Sequence, residues 1–248
     1  MNSILLGFMN IQYMLMVLLP GMALSGGASW LVRKRFAQYS KVPSARGYTG
    51  QMAAQRLLDH ANITDVKVVR VDGILSDHYN PRTKQLALSS AVFDKTSIAA
   101  IGVATHEAGH AIQHATGYYP LKWRSMIVPV ANIGTKFGTY GMMIGLAFLA
   151  GGSIFGQTVF VAGALAFLVF VLFQLVTLPV EYNASNRAKQ LVVEAGIISE
   201  QEREGVDKVL GAAALTYVAA FVSSLLTLLY FLMKSGLLNG NNRRQRSH

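Results

Sequence analysis

Thr105-His106-Glu107-Ala108-Gly109-His110 sets two imidazoles and a carboxylate close together in the chain. On an α-helix, residues four apart share a face with Cβ atoms about 5–6 Å apart, so His106 and His110 can aim at one cation. Glu107 sits one step round the helix, where it can reach a water held at that cation. These types at this spacing suit zinc-dependent hydrolysis: the ion polarises a carbonyl and acidifies water, and the carboxylate takes the proton. The preceding stretch, SIAAIGVAT at 97–105, is apolar, so the helix sinks into a core. A single core histidine is ordinary. Two imidazoles and a carboxylate buried side by side are costly without a partner such as a metal.

A catalytic zinc takes three protein ligands and keeps one position open. His114 is the nearest further imidazole, but it lies two helical turns, about 12 Å, beyond His106 and cannot close the same site. Breaking the helix would bring in a later ligand, yet Gln113 and Thr116 stand where Gly and His would be needed. The third ligand must come from another element. The downstream acids are Glu181, Glu194, Glu200, Glu202, Glu204 and Asp207. Glu181 is favoured on packing grounds, because Ala184, Ser185 and Ala188 give its helix a small-residue face for close approach. Glu194 to Glu204 gather with Arg203 near a helix start and read as a solvated face with a cap.

The elements that position these groups can be read around them. Thr49 caps a helix over about 50–61 that Asn62 ends. VKVVRVDGILS at 66–76 and QLALS at 85–89 alternate as strands, forming a hairpin or a strand pair around Asn80-Pro81-Arg82. A helical pattern runs from about Thr96 through the motif to about Thr116, with Gly117 as its stop. Ser199 and Glu202 make a capping box. Pro179 begins a segment that ends near Gly196.

The chain is 52% hydrophobic and 14% charged, and the imbalance is concentrated. Residues 1–32, 137–180 and 209–233 contain no Asp, Glu, Lys or Arg. A membrane helix needs about 20 apolar residues, and Gly151-Gly152-Ser153 divides the middle run. Four spans follow: 4–30, 137–153, 156–178 and 211–233. The first is an uncleaved anchor rather than a signal peptide, since it lacks a basic start and runs long before Arg33-Lys34-Arg35. Pro20 should kink it. Gly134/Gly138 and Gly141/Gly145 give small-residue spacing for helix packing. Without cysteine, disulfides, thiolate metal sites and cysteine nucleophiles are excluded.

The net charge of +10 does not point to nucleic acid. The bases flank the spans instead of forming a patch interleaved with aromatics, and anionic headgroups account for them. His106 and Glu181 are separated by two spans, so they emerge on one side. Arg33-Lys34-Arg35 assigns that side to the cytoplasm. Lys234, Arg243, Arg244 and Arg246 would then lie outside, against the rule.

GILSDHYNPR, ATHEAGHAIQHATGY and LPVEYNASNRA together resemble the YugP-type membrane zinc metallopeptidases of bacteria. The likeness runs from the first span to the last. More distantly the chain is similar to HtpX-type and CAAX-processing membrane proteases, which pair H-E-x-x-H with a downstream E-x-x-A-D helix. That resemblance implies Glu181 as third ligand and a bacterial inner-membrane location, with membrane or unfolded proteins as substrates. It places Ser185 where those enzymes carry an Asp that orients a ligand imidazole, which implies a weaker or different support. It also implies that the strand before the motif helix, QLALS, accepts substrate as an added strand.

The expected architecture is mainly α and integral to the membrane, with a small α+β gluzincin-like catalytic domain containing a short sheet. Its parts are a first anchor at 1–32, the catalytic domain at 33–125 and a two-span hairpin at 126–180. The third-ligand helix and connector follow at 181–210, then the last span and basic tail at 211–248. The expected activity is a Zn2+-dependent endopeptidase with His106, His110 and Glu181 as ligands and Glu107 as general base. Its partners are the lipid bilayer and a peptide or membrane-protein substrate. His78, Tyr79 and Arg187 are candidates to stabilise the oxyanion. His78 equally suits a turn residue bonding its own backbone, and Arg187 suits a headgroup contact. The competing readings are a non-proteolytic zinc-binding scaffold and a metal-handling protein. A scaffold has no use for Glu107, and a transporter would carry charges or His inside spans two to four, where there are none.

Overall fold

A computed structural model describes residues 11–73, 76–149 and 151–236. Helix α1 spans Ile11–Tyr39. Pro20 offers no N–H to the preceding turn, and the helix absorbs this through a π turn at Met14–Leu18, where Leu19 N bonds Met14 O. Residues 4–10 of the expected first span lie outside the described residues, as do Arg243, Arg244 and Arg246 of the basic tail.

Helix α2 (Gly50–His60) starts where Thr49 accepts a hydrogen bond from Met52 N, and Asn62 beyond its end has φ +56°. Three strands follow: β1 (Lys67–Val71), β2 (His78–Asn80) and β3 (Gln85–Ser89). Helix α3 (Ile98–Ala115) carries the motif. Ser97 caps its first turn by accepting from Ala100 N, and Gly117 at φ +65° follows its end. Helices α4 (Tyr119–Leu149), α5 (Ile154–Glu194) and α6 (Arg203–Lys234) complete the chain. A 3-10 turn at Glu200–Glu202 leads into α6, and Ser199 N donates to Glu202 as the capping box requires.

The sheet corrects two expectations. Its order is β1-β3-β2, with β1 parallel and β2 antiparallel to β3. Of the run expected at 66–76, Lys67–Val71 forms β1 and pairs with β3 in parallel, while residues 74 and 75 lie outside the described residues; the hairpin is made by β2 and β3. The Asn80 side chain builds its turn by accepting from Arg82 N and Thr83 N, and Lys84 takes φ +52°. QLALS is the central strand. β1 pairs along all of it and β2 along Gln85–Ala87, so over those three residues it has no free edge for an added strand. Pro179 also lies inside continuous α5 and starts no new segment.

Among the described residues, three helices are long and apolar enough to cross a membrane: α1, α5, and α6 extended to Glu200–Lys234. The expected second span, 137–153, is not among them. It falls largely in α4, where Lys122 and Arg124 lie in the first turns, Lys136 lies just past the middle, and only Phe137–Leu149 follows the last charge. That remainder is short of about 20 apolar residues.

The described residues form two compact units. One draws on Met1–Gly27, Arg124–Val176 and Val218–His248. Within it the glycines of α4 pack on α5: a Cβ at Gly138 would meet Phe167 N at 2.6 Å, and one at Gly141 would meet Gly163 Cα at 2.9 Å. Phe160, Phe167, Val171, Leu228 and Phe231 form its core.

The other unit comprises Ala28–Trp123 and Thr177–Tyr217 and contains the motif. Its core joins Leu57 and Leu58 of α2, Leu86 and Leu88 of β3, and Ile101, Ala104 and Ala108 of α3 to Ala188 and Val192 of α5 and Val206 of α6. Each fully buried Leu or Ile contributes about 1.5–3 kcal/mol. Backbone bonds from Ile98 N to Val42 O (2.9 Å) and Ser44 N to Thr96 O (2.8 Å) fix the start of α3. Arg46 donates to Gly196 O, and Arg56 Nε donates to Ala195 O at 3.2 Å, which holds the end of α5.

Candidate metal centre

Helix α3 turns one face to α5. Gly109 makes the approach possible, since a Cβ there would stand 2.6 Å from Ala184 O. Ala184 and Ala188 are fully buried on the facing helix. The small face that favoured Glu181 in the sequence is thus matched by a glycine inside the motif itself.

This contact sets Glu181, 1% exposed, against both motif imidazoles. Its Oε2 lies 3.2 Å from His106 Nε2 and 3.5 Å from His110 Nε2. The ring centroids are 4.8 Å apart and the rings nearly perpendicular, at 81°. One ligand atom from each residue lies within 4.8 Å of the others, so the three can hold a metal ion. A tetrahedral zinc with bonds of about 2.0–2.1 Å spaces its ligand atoms about 3.3 Å apart, and the two contacts of Glu181 bracket that spacing.

The far side of each ring is also held. Gln113 Nε2 donates to Val180 O (2.8 Å) and to Asn183 Oδ1 (3.0 Å). A backbone carbonyl only accepts, so the amide nitrogen must face Val180, and Gln113 Oε1 must face His110 Nδ1 at 3.0 Å. His110 Nδ1 therefore carries a proton, and Nε2 is the atom left to bind a metal. Ser185 Oγ sits 3.1 Å from His106 Nδ1, beside a motif imidazole as the resemblance implies for the residue in that position.

Burial works against charge on His110, but the carboxylates of Glu181 and Glu107 outweigh it and hold the pKa above the usual imidazole value. A metal at Nε2 must displace that proton, so its binding weakens as pH falls. Replacing Gln113, itself fully buried, with Leu leaves the volume similar but removes the acceptor for His110. Zinc affinity of Gln113→Leu should drop by about 10–100-fold, as read by competition with a chromophoric chelator.

Glu107 does not join the cluster of three. It lines a cavity of about 150 Å3 together with His106, Glu181 and Ser185. The three candidates for oxyanion stabilisation are engaged elsewhere. His78 Nδ1 bonds Ser76 O in its own turn at 2.7 Å, Tyr79 OH meets His114 Nδ1 at 2.8 Å, and Arg187 Nε donates to Asn183 Oδ1 at 2.9 Å. None of them lines that cavity. His114 is exposed and separate from the cluster, as its distance along the helix requires.

Sequence reasoning missed Gly109 and Gln113 as parts of the site. Gln113 follows His110 by three residues, a spacing at which helix side chains meet, and that was the available signal.

Comparison with known proteins agrees with this chemistry. The chain is 44% identical over 224 residues to a protein of Bacillus subtilis (strain 168) named "Putative membrane protease YugP", covering 90% of this chain and 96% of that protein. No solved structure matches it. Zn2+ is the cofactor that the family and the His106, His110, Glu181 cluster support. Residues 13–236 match the family described as "Putative neutral zinc metallopeptidase", and the chain belongs to that family.

Proposed function

We propose that this chain is an integral membrane zinc endopeptidase of the gluzincin type, acting on membrane-associated or unfolded protein substrates. The observation that carries this reading is the convergence of Glu181 on both motif imidazoles beside a cavity that Glu107 lines. His106, His110 and Glu181 are the metal ligands. Zinc bound there supplies Lewis acidity to the scissile carbonyl and to water. Glu107 takes a proton from the attacking water as its oxygen bonds to the carbonyl carbon, then delivers that proton to the amine as the C–N bond breaks. Gln113 and Ser185 keep the two rings oriented throughout.

With β3 paired on both sides, the free edge that packs against α3 is β2, and β2 is the strand along which a substrate segment adds. The test is proteolysis of casein by the detergent-purified protein. Cleavage should stop on chelation and return with zinc; cleavage indifferent to chelators would contradict the proposal. A scaffold or metal-handling protein would bind zinc without cutting.

The active site is assigned to the cytoplasmic face of the inner membrane, on the strength of Arg33, Lys34 and Arg35 at the end of α1. Because the chain has no cysteine, a single Thr64→Cys at an exposed loop position reports the side directly. An impermeant maleimide should label it only after the cells are opened, whereas labelling of intact cells would reverse the assignment.

A further inference from the structure

The cavity beside Glu107 takes its polar groups from His106, Glu107, Glu181 and Ser185 on one side and from Asp77. Most of the rest of its wall is apolar: Val103 of α3, Val32 and Phe36 of α1, and a face of α6 that includes Val209, Ala213 and Tyr217. The α1 and α6 sets follow helical spacing, so each presents one continuous face. Asp77 also reaches the cavity, but Ser89 N (2.7 Å) and Ser89 Oγ (3.1 Å) engage its two oxygens. Among the described residues, no Lys or Arg lines it. The volume, about 150 Å3, matches an apolar protein cavity that admits a benzene-sized group.

We infer that this cavity is a specificity subsite that takes a leucine- to phenylalanine-sized apolar side chain from a residue flanking the scissile bond. The inference rests on the endopeptidase reading and adds to it a substrate class. A charged side chain entering there would lose its water, and an acidic one would also face Glu107 and Glu181. An alanine would leave the space unfilled. Each methylene in such a pocket changes discrimination by about 10–200-fold, so Leu over Ala should exceed tenfold.

The test maps cleavage sites in unfolded casein by mass spectrometry, using the full chain in detergent. Synthetic peptides that vary one flanking residue among Ala, Leu, Phe, Lys and Glu then give relative kcat/KM. Wild type should favour Leu and Phe at one flanking position by more than tenfold over Ala, Lys and Glu. Ala213→Leu, which narrows the cavity, should lower the Phe-to-Ala ratio at least tenfold. Phe36→Ala, which widens it, should raise the preference for Phe over Leu. Zinc content equal to wild type certifies the fold of each variant. Glu107-dependent cleavage with no apolar preference, or with ratios that neither variant moves, would overturn the subsite and leave the peptidase intact. Absence of any Glu107-dependent cleavage would overturn both.

Discussion

Glu107→Gln is expected to bind one zinc per chain as wild type does and to lose about 10²–10⁴-fold in casein hydrolysis. The change keeps side-chain size, and Glu107 lines the cavity without belonging to the group of three that can hold the metal. What disappears is the capacity to accept a proton from water and return it to the leaving amine. A glutamine still donates and accepts hydrogen bonds, so it preserves local packing at a residue only 9% exposed. The measurement pairs zinc content with the rate of appearance of new amino termini. If Glu107→Gln cleaved at the wild-type rate, general-base catalysis by this residue would be excluded. If it also lost zinc, Glu107 would have to be moved into the ligand set.

The second large effect concerns Glu181. Its carboxylate contacts both Nε2 atoms from a helix pressed onto the motif helix. Glu181→Ala should reduce zinc affinity by more than the roughly 10–100-fold that loss of a ligand's outer partner costs. Hydrolysis should fall with it. The fold should persist, since Ala184, Ala188 and Val192 continue to pack on the core. Competition between the purified variant and a chromophoric chelator measures the first effect, and far-UV circular dichroism checks the fold. Wild-type zinc affinity in Glu181→Ala would remove this residue from the site.

Much of this site is legible in the sequence because local rules govern it. The spacing of His106 and His110 depends only on the helical period, and the stop of the helix over them is marked by Gly117. The small face of Ala184, Ser185 and Ala188 was legible for the same reason: close helix approach needs small side chains, and Gly109 supplies the complement. Strand pairing was less accessible. His78–Asn80 is a three-residue strand with no alternation to mark it, so two strands were legible where the described residues form three, and QLALS looked like an edge. Pairing partners are set by tertiary contacts that a period of two does not encode.

Pro179 misled in another way. Proline usually ends a helix, but here α5 continues through it, as helices buried among neighbours or in lipid can. Length and hydropathy mark α1, α5 and α6 among the described residues, whereas the uncharged run at 137–153 falls largely in α4, whose own charges lower its hydropathy. For Gln113 the sequence held only its spacing from His110; the bond to Val180 O, which fixes the orientation of its amide, depends on another helix.

The most direct test of the account is zinc K-edge X-ray absorption on the zinc-loaded, detergent-purified chain. The account predicts one zinc with four nitrogen or oxygen neighbours at about 2.0–2.1 Å, two of them imidazoles, and a changed shell in Glu181→Ala. A shell without two imidazoles, a spectrum unmoved by Glu181→Ala, or no stoichiometric zinc would contradict it.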